Sequence, residues 1–111
     1  MNVFKIELLE YVNEDGKNVF HKWLCTLKDK AARARIRVRL NRVRLDNFGD
    51  CKSVGGGVSE LRVDYGPGYR IYFGRDGIKV VILLCGGSKK SQSKNIKLAR
   101  QYWAEYQRRT R

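Results

Sequence analysis

The stretch between Val58 and Cys85 constrains the fold more than any other part of the chain. Three short segments in it are rich in β-branched, aromatic and other apolar residues: 58–65, 69–73 and 78–85. In the first two, apolar and polar residues alternate with the period of a strand that buries one face, whereas the unbroken apolar run 80–84 is typical of a strand covered on both sides. Gly66-Pro67-Gly68 and Asp76-Gly77 lie between the segments and suit hairpin turns. Gly86-Gly87 should form a further turn at the end of the last segment. The sequence therefore predicts a three-stranded antiparallel meander.

The residues before this stretch predict a strand followed by a helical hairpin. Residues 3–11 alternate as in a strand with one buried face. Apolar residues then recur at helical spacing after Asn18, the expected N-cap of a first helix. Asp29 is the expected N-cap of a second helix, which should reach about Phe48 and stop at Gly49. Two tightly joined helices of this kind should pack as an antiparallel pair on the sheet.

The remaining residues predict a loop and a last helix. We expect residues 50–57, with three glycines in a row, to form a mobile connection inside one domain that spans residues 1–111. A final helix should start at about Ser91 or Ser93. Its aromatic stripe Tyr102, Trp103 and Tyr106 has the spacing of core residues, and residues 108–111 should form a frayed basic tail. The predicted fold class is α+β.

Composition favours a polyanionic partner. The 24 Lys and Arg against 11 Asp and Glu leave a formal charge of +13, which steers phosphate-rich molecules and releases their counterions on binding. Sixteen of these basic residues lie in two segments, 28–44 and 89–111. We expect Cys25 and Cys85 to pack as small apolar side chains, and three widely spaced cysteines with one histidine predict no metal site. No membrane-length apolar run or leader pattern is evident, so we expect a cytoplasmic protein without membrane contact.

Three short motifs and their order carry a family resemblance. They are Glu-Leu-Arg at 60–62, Gly-Pro-Gly-Tyr-Arg at 66–70 and Leu-Cys-Gly-Gly-Ser-Lys at 84–89, with Gln92 after them. Together they resemble the RelE/ParE toxin superfamily, and most closely its HigB-like branch, often labelled addiction-module killer protein. The resemblance covers nearly the whole chain. It implies a RelE-like order of elements: N-terminal strand, helical hairpin, three-stranded antiparallel meander and C-terminal helix.

The resemblance also implies a function. It points to the toxin of a type II toxin–antitoxin pair that inhibits translation as a ribosome-dependent mRNA endoribonuclease. Its partners would be mRNA, the ribosome and a cognate antitoxin, typically a small helix-turn-helix DNA-binding protein through which operator DNA is bound. Two alternatives remain open: a ParE-like inhibitor of DNA gyrase, and a nucleic-acid-binding module of the same fold without catalysis.

Cleavage of RNA needs no metal or cofactor, because its 2′-hydroxyl can attack the adjacent phosphate when charge and protons are managed by side chains. Arg70, which matches the family arginine, is the candidate clamp for the developing phosphoryl charge. Arg62 could share that clamp, Lys89 could orient substrate or protonate the leaving oxygen, and Glu60 could act as base or pair with an arginine. Further candidates for RNA binding are Tyr72, as a stacking ring, and Lys90, Gln92, Lys94, Arg39 and Arg42.

Two features set this chain apart from a typical nuclease of that superfamily. Related toxins often carry an aromatic residue or a histidine near the start of the last helix, where this chain has Gln92, Lys94 and Asn95. His21 lies on the predicted first helix, away from the strand motifs, and we expect it to be structural or exposed.

Overall fold

The computed structural model describes residues 4–110 and contains five strands and three helices in mixed order. Val3, where the predicted first strand begins, and Arg111, at the end of the predicted tail, lie outside the described residues. The elements are β1 (Glu7–Glu10), α1 (Val19–Thr26), α2 (Lys30–Arg44), β2 (Cys51–Gly55), β3 (Val58–Val63), β4 (Tyr69–Asp76), β5 (Val80–Ser88) and α3 (Gln92–Arg109), with a 3₁₀ turn at Lys89–Ser91. The α+β class is therefore confirmed.

All five strands form one sheet in the order β1-β5-β4-β3-β2. Strands β2 to β5 are antiparallel neighbours, whereas β1 pairs with β5 in parallel. The predicted three-stranded meander was thus incomplete. The missing strand, β2, lies in the segment expected to be a mobile loop. This segment pairs with β3 because Gly56 and Gly57 adopt positive φ angles and turn the chain back as a hairpin.

The helix starts were predicted correctly, but the end of the second helix was not. The side chains of Asn18 and Asp29 accept hydrogen bonds from backbone N–H groups in the first turns of α1 and α2. Helix α2 ends at Arg44, and Asp46 has a left-handed φ of 66°. The chain leaves the helix early because Phe48 stacks on Phe73 of the sheet, at 5.6 Å between ring centroids.

The core consists of two apolar layers, one on each face of the sheet. On one face α1 and α2 cover side chains such as Leu61, Ile71 and Leu83. On the other face α3 covers Val58 and Ile82 with the Trp103 ring. Strand β5 packs against helices on both faces, as its unbroken apolar run predicted. No helix among residues 4–110 is both long and apolar enough to cross a membrane.

Gly86 and Gly87 lie inside β5 and do not form the expected turn at the end of that strand. A Cβ built on Gly86 would overlap the Trp23 ring of α1, and one on Gly87 would overlap Asn95 of α3. The two glycines therefore leave room for helices on opposite faces. A turn does follow, but it comes later, at Lys89–Ser91.

The last helix is longer and better anchored than predicted. Its aromatic residues are core, as expected, with Trp103 buried and Tyr102 and Tyr106 packed against the same layer. Residues 108 and 109 were assigned to a frayed tail, but Arg109 is helical and its Nη1 donates to the Val12 carbonyl at 2.9 Å.

Two of the three cysteines were assigned to the core, and only one lies there. Cys85 is buried, but Cys25 is exposed on α1 with its Sγ 3.4 Å from Nε2 of His21. His21 is exposed, in line with one of its two expected roles.

Candidate functional site

Strand register brings the polar residues of β3 and β4 together on the face of the sheet that α3 covers. Glu60 lies opposite Tyr72 and Arg62 lies opposite Arg70. Because side chains alternate across a strand, Glu60 and Arg62 share this face with the side chains of their partners. On the far side of β4, Arg70 lies opposite Gly87, which has no side chain. The two arginines therefore lie at one end of the covered face.

The carboxylate of Glu60 is completely buried, with 0% exposure, and is the centre of these contacts. Its Oε2 accepts hydrogen bonds from the Tyr72 hydroxyl at 3.0 Å and from Nε2 of Gln92, at the start of α3, at 2.8 Å. Its Oε1 accepts one from Nε of Arg62 at 3.1 Å and is 3.5 Å from Nε of Arg70. We call these five residues the Glu60 cluster.

This environment keeps Glu60 ionised. Burial alone would raise the pKa of its carboxyl, but the hydrogen bonds from Gln92, Arg62 and Tyr72 and the charge of Arg70 outweigh burial and lower that pKa. Burial and the bond to Glu60 raise the pKa of the Tyr72 hydroxyl well above its usual value. At neutral pH the pair is thus an ionised carboxylate that accepts a hydrogen bond from a protonated phenol.

The two arginines face the carboxylate through Nε and leave their outer nitrogens unused. Within residues 4–110, the Nη groups of Arg62 and Arg70 make no hydrogen bond. Arg70 is only 9% exposed, and its buried Nε has no partner with hydrogen-bond geometry. Two cations share one anion here, so the Glu60 cluster keeps a net positive charge.

Lys89 approaches this charge from the end of β5. Its backbone N–H donates to the carbonyl of Gly68 at 2.7 Å. A Cβ placed on Gly68 would lie 3.7 Å from Cβ of Lys89 and 4.0 Å from Nη1 of Arg70, so both side chains border the turn between β3 and β4. Lys89, Lys90 and Lys94 are all exposed. Their ammonium groups form no ion pair with the acids of the described chain.

Residues 22–104 match the family described as Phage derived protein Gp49-like (DUF891), which belongs to the RelE/ParE-like toxin superfamily. The chain belongs to this Gp49-like family. Over an aligned stretch of 81 residues, the chain is also 49% identical to an uncharacterized protein of Haemophilus influenzae (strain ATCC 51907 / DSM 11121 / KW20 / Rd). The aligned stretch covers 73% of this chain and 82% of that protein. The superfamily resemblance is confirmed, the HigB-like branch remains a prediction, and the family suggests the toxin of a toxin–antitoxin pair.

Three of the residues expected to contact RNA are buried or hydrogen-bonded within this Gp49-like protein. Tyr72 is 0% exposed, so the stacking role assigned to it does not fit this structure. Gln92 uses its amide to hold Glu60. Arg39 projects from α2 on the opposite face, where it donates to the backbone carbonyls of Arg62 and Asp50 at 3.1 and 3.2 Å. Arg42 is also on α2 but is exposed.

Sequence reasoning missed Ser91 and Asn95, which close the site above Gly87. The Ser91 hydroxyl donates to Oδ1 of Asn95 at 2.6 Å, and both side chains occupy the space that a Cβ on Gly87 would need. The signal was present in the sequence: the two residues are four apart, the spacing of neighbours on one helix face. It was overlooked because Gly87 was assigned to a turn.

The Glu60 cluster of this Gp49-like protein is suited to holding an anion. Paired Nη groups bind two oxygens of a phosphate in parallel, and Lys89 can add a further charge. Both oxygens of Glu60 are already occupied, which leaves this carboxylate poorly placed to take a proton from a substrate. Among residues 4–110, no three His, Cys, Asp or Glu side chains converge as ligands for a metal ion.

Proposed function

We propose that this Gp49-like protein is the toxin of a type II toxin–antitoxin pair and cleaves mRNA as a metal-independent endoribonuclease. The observation that carries the proposal is the pair of guanidinium groups on Arg62 and Arg70, whose Nη groups make no hydrogen bond within residues 4–110. A buried carboxylate fixes both by Nε and leaves the Nη edges for a phosphate. Fixed donors of this kind stabilise charge that develops in a transition state.

Each residue then has a distinct role. Arg70 holds the scissile phosphate, Arg62 holds the same or a flanking phosphate, and Lys89 orients the substrate or protonates the leaving 5′-oxygen. Glu60, expected as a base or as an ion-pair partner, positions the arginines from beneath. The exposed Lys90 and Lys94 at the start of α3 extend the positive surface along the RNA backbone.

The Glu60 cluster has no free base, so the proton of the attacking 2′-hydroxyl would pass to a water molecule or to a group of the ribosome, which favours cleavage on the ribosome. There, orientation of the 2′-hydroxyl in line with the phosphate would be supplied by the ribosome, and such positioning contributes up to ~7 to 11 kcal/mol. We place the reaction in the cytoplasm. A helix-turn-helix antitoxin would neutralise the toxin and connect it to operator DNA.

The hydrogen bonds that engage Glu60 also support a second candidate function. Since both Glu60 oxygens are engaged and Tyr72 is buried, the site could serve without chemistry. The protein would then be a gyrase inhibitor, with basic helices that contact a protein, or a nucleic-acid-binding module.

Expression in a bacterial host with mapping of RNA ends tests the proposal. Wild-type protein should arrest growth and create new mRNA 5′ ends. Arg70→Ala should reduce cleavage by about 100-fold or more, the usual loss for one transition-state donor. Arg62→Ala and Lys89→Ala should reduce it less.

Arg75 offers a matched control on the same strand. Its guanidinium lies over the Phe48 ring, 4.7 Å from the centroid, on the other face of the sheet. Arg75→Ala should therefore keep full cleavage. Equal toxicity of all four variants, with folding verified by circular dichroism, would reject the site. DNA breaks with intact messages would favour gyrase, and RNA binding without cut ends would favour the binding module.

A further inference from the structure

A groove lies along α2, on the sheet face opposite to the Glu60 cluster. Its volume is about 490 Å³ and it runs between one side of α2 and the end of β3. Ala31, Ala34 and Val38 of α2 and Val63 of β3 form its apolar floor. Val38 is 48% exposed. A helix side made of two alanines and a valine lets another element approach closely.

The groove is open because β2 is shorter than its neighbour. Cys51, the first residue of β2, pairs with Leu61, and one further bond runs from the Arg62 N–H to the Asp50 carbonyl. Beyond that point no strand of the described chain lies outside Val63. A segment of another chain would therefore find the apolar side of α2 next to the end of β3, with no strand over it.

The rim of the groove is cationic. Seven of the 15 residues of α2 are Lys or Arg, and none is acidic. Arg33 and Arg39 use their guanidinium groups on backbone carbonyls. Arg35 lies over the Tyr65 ring at 4.6 Å, and the side chain of Arg42 makes no hydrogen bond or ion pair within residues 4–110. Arg35 and Arg42 are seven residues apart on α2, so they present positive charge at two points along one side of the helix, beside the apolar floor.

We propose that the α2 groove binds an acidic amphipathic segment of a partner protein, with aliphatic side chains on Ala34 and Val38 and carboxylates toward Arg35 and Arg42. This inference rests on the proposed function for the identity of the partner, which would be the antitoxin. RNA fits less well, since phosphates gain nothing from an apolar floor. The partner would contact β3 from the face opposite to Arg62 and Arg70.

A peptide titration tests the groove without knowledge of the antitoxin. The probe is a designed helix with leucine and alanine on one face and glutamate on both flanks, and its counterpart has lysine for glutamate. Methyl resonances of Ala31, Ala34 and Val38 should shift with the glutamate peptide alone. Ala34→Glu should weaken its binding at least about tenfold, since like charges oppose each other on a desolvated floor. Ala34 is exposed, so the change should leave the fold intact.

Arg37→Ala is the matched control, because Arg37 is an exposed arginine of α2 outside the groove. It should change the affinity by less than about threefold through its distant charge. Absence of methyl shifts, equal shifts with the lysine peptide, or the same shifts with an RNA oligonucleotide would each overturn the proposal.

A growth assay with the co-expressed antitoxin separates this inference from the proposed function. The Ala34→Glu toxin should arrest growth and escape neutralisation. If the antitoxin still relieves the growth arrest caused by the Ala34→Glu toxin, the proposed binding groove is wrong, and the toxin proposal still holds. If wild-type protein does not arrest growth, the toxin proposal fails, and the peptide titration still decides whether the groove binds acidic segments.

Discussion

Glu60 and Leu61 are neighbours on β3 and are equally buried, at 0% and 1% exposure, but they face opposite sides of the sheet. Leu61 lies in the apolar layer beneath α1 and α2, whereas Glu60 lies beneath α3 among four polar partners. Apolar residues in place of a buried ion pair are often neutral or stabilising. Stability alone therefore accounts for Leu61 but not for Glu60. The charged face holds two guanidinium groups in place, and the apolar face holds the sheet to its helices.

Removal of either neighbour should have the largest effect of the changes considered. Glu60→Ala leaves Arg70 buried without its carboxylate and should cost about 3 to 5 kcal/mol. Leu61→Ala removes packed methyl groups and should cost about 2 to 5 kcal/mol. Urea unfolding of the purified proteins measures both losses. A loss below about 1 kcal/mol for Glu60→Ala would mean that the ion pairs contribute little.

The same two substitutions, made in the Arg70→Ala protein, distinguish the two faces of the sheet. In Arg70→Ala protein the cost of Glu60→Ala should fall by more than about 1 kcal/mol, because the two residues are in direct contact. The cost of Leu61→Ala should stay the same, since Leu61 faces the other layer. Equal coupling of Arg70 to both neighbours would remove the distinction between the faces.

Low pH should reduce the stabilisation that comes from the charged face of the sheet and leave that from the apolar face unchanged. The pKa of Glu60 is lowered in the folded protein, below about 4.3 in an unfolded chain. The stabilisation from its ionised form is therefore complete above that unfolded value and is lost as the pH falls through the folded value. The stability difference between wild type and Glu60→Gln should be constant from about pH 5 to 7 and shrink below about pH 4.

Leu61→Ala provides the reference for this pH series. Its difference from wild type should not change over the same range, because Leu61 has no titratable group. Unfolding curves at each pH give both differences. A Glu60→Gln difference that persists unchanged down to about pH 2 would show that Glu60 is not held as an anion.

Each face also has a strand glycine under a tryptophan ring, and here the two faces should respond alike. A Cβ on Gly74 would overlap Trp103 of α3, and one on Gly86 would overlap Trp23 of α1. Gly74→Ala and Gly86→Ala should each cost about 1 to 3 kcal/mol through overpacking. Trp103→Leu should relieve the first change and leave the second unaffected. Thermal or urea unfolding of the double variants measures this relief.

Much of this two-faced design was readable from the sequence, and the parts that were not depend on distant residues. Alternation placed Leu61 and Glu60 on different faces, and the motif residues Arg62 and Arg70 were expected side by side. By contrast, Gly86 looked like a turn because only the position of Trp23 explains a glycine inside β5. Local pattern likewise does not show that Arg39 binds the backbone of β3 or that Tyr72 is sealed beneath α3.

The smallest expected effect tests how α3 is connected to the charged face. Gln92→Ala removes the 2.8 Å bond to Oε2 of Glu60, but Tyr72 still donates to the same oxygen and Gln92 is half-buried, so water can replace the amide. We expect a loss of about 1 kcal/mol. Lys94→Ala, an exposed change in the same turn of α3, should cost less than about 0.5 kcal/mol. The Lys94→Ala control should keep its stability. If Gln92→Ala lowers both stability and cleavage, the start of α3 acts on the arginines through Glu60. A cost equal to that of Lys94→Ala would show that the carboxylate is held from the sheet alone.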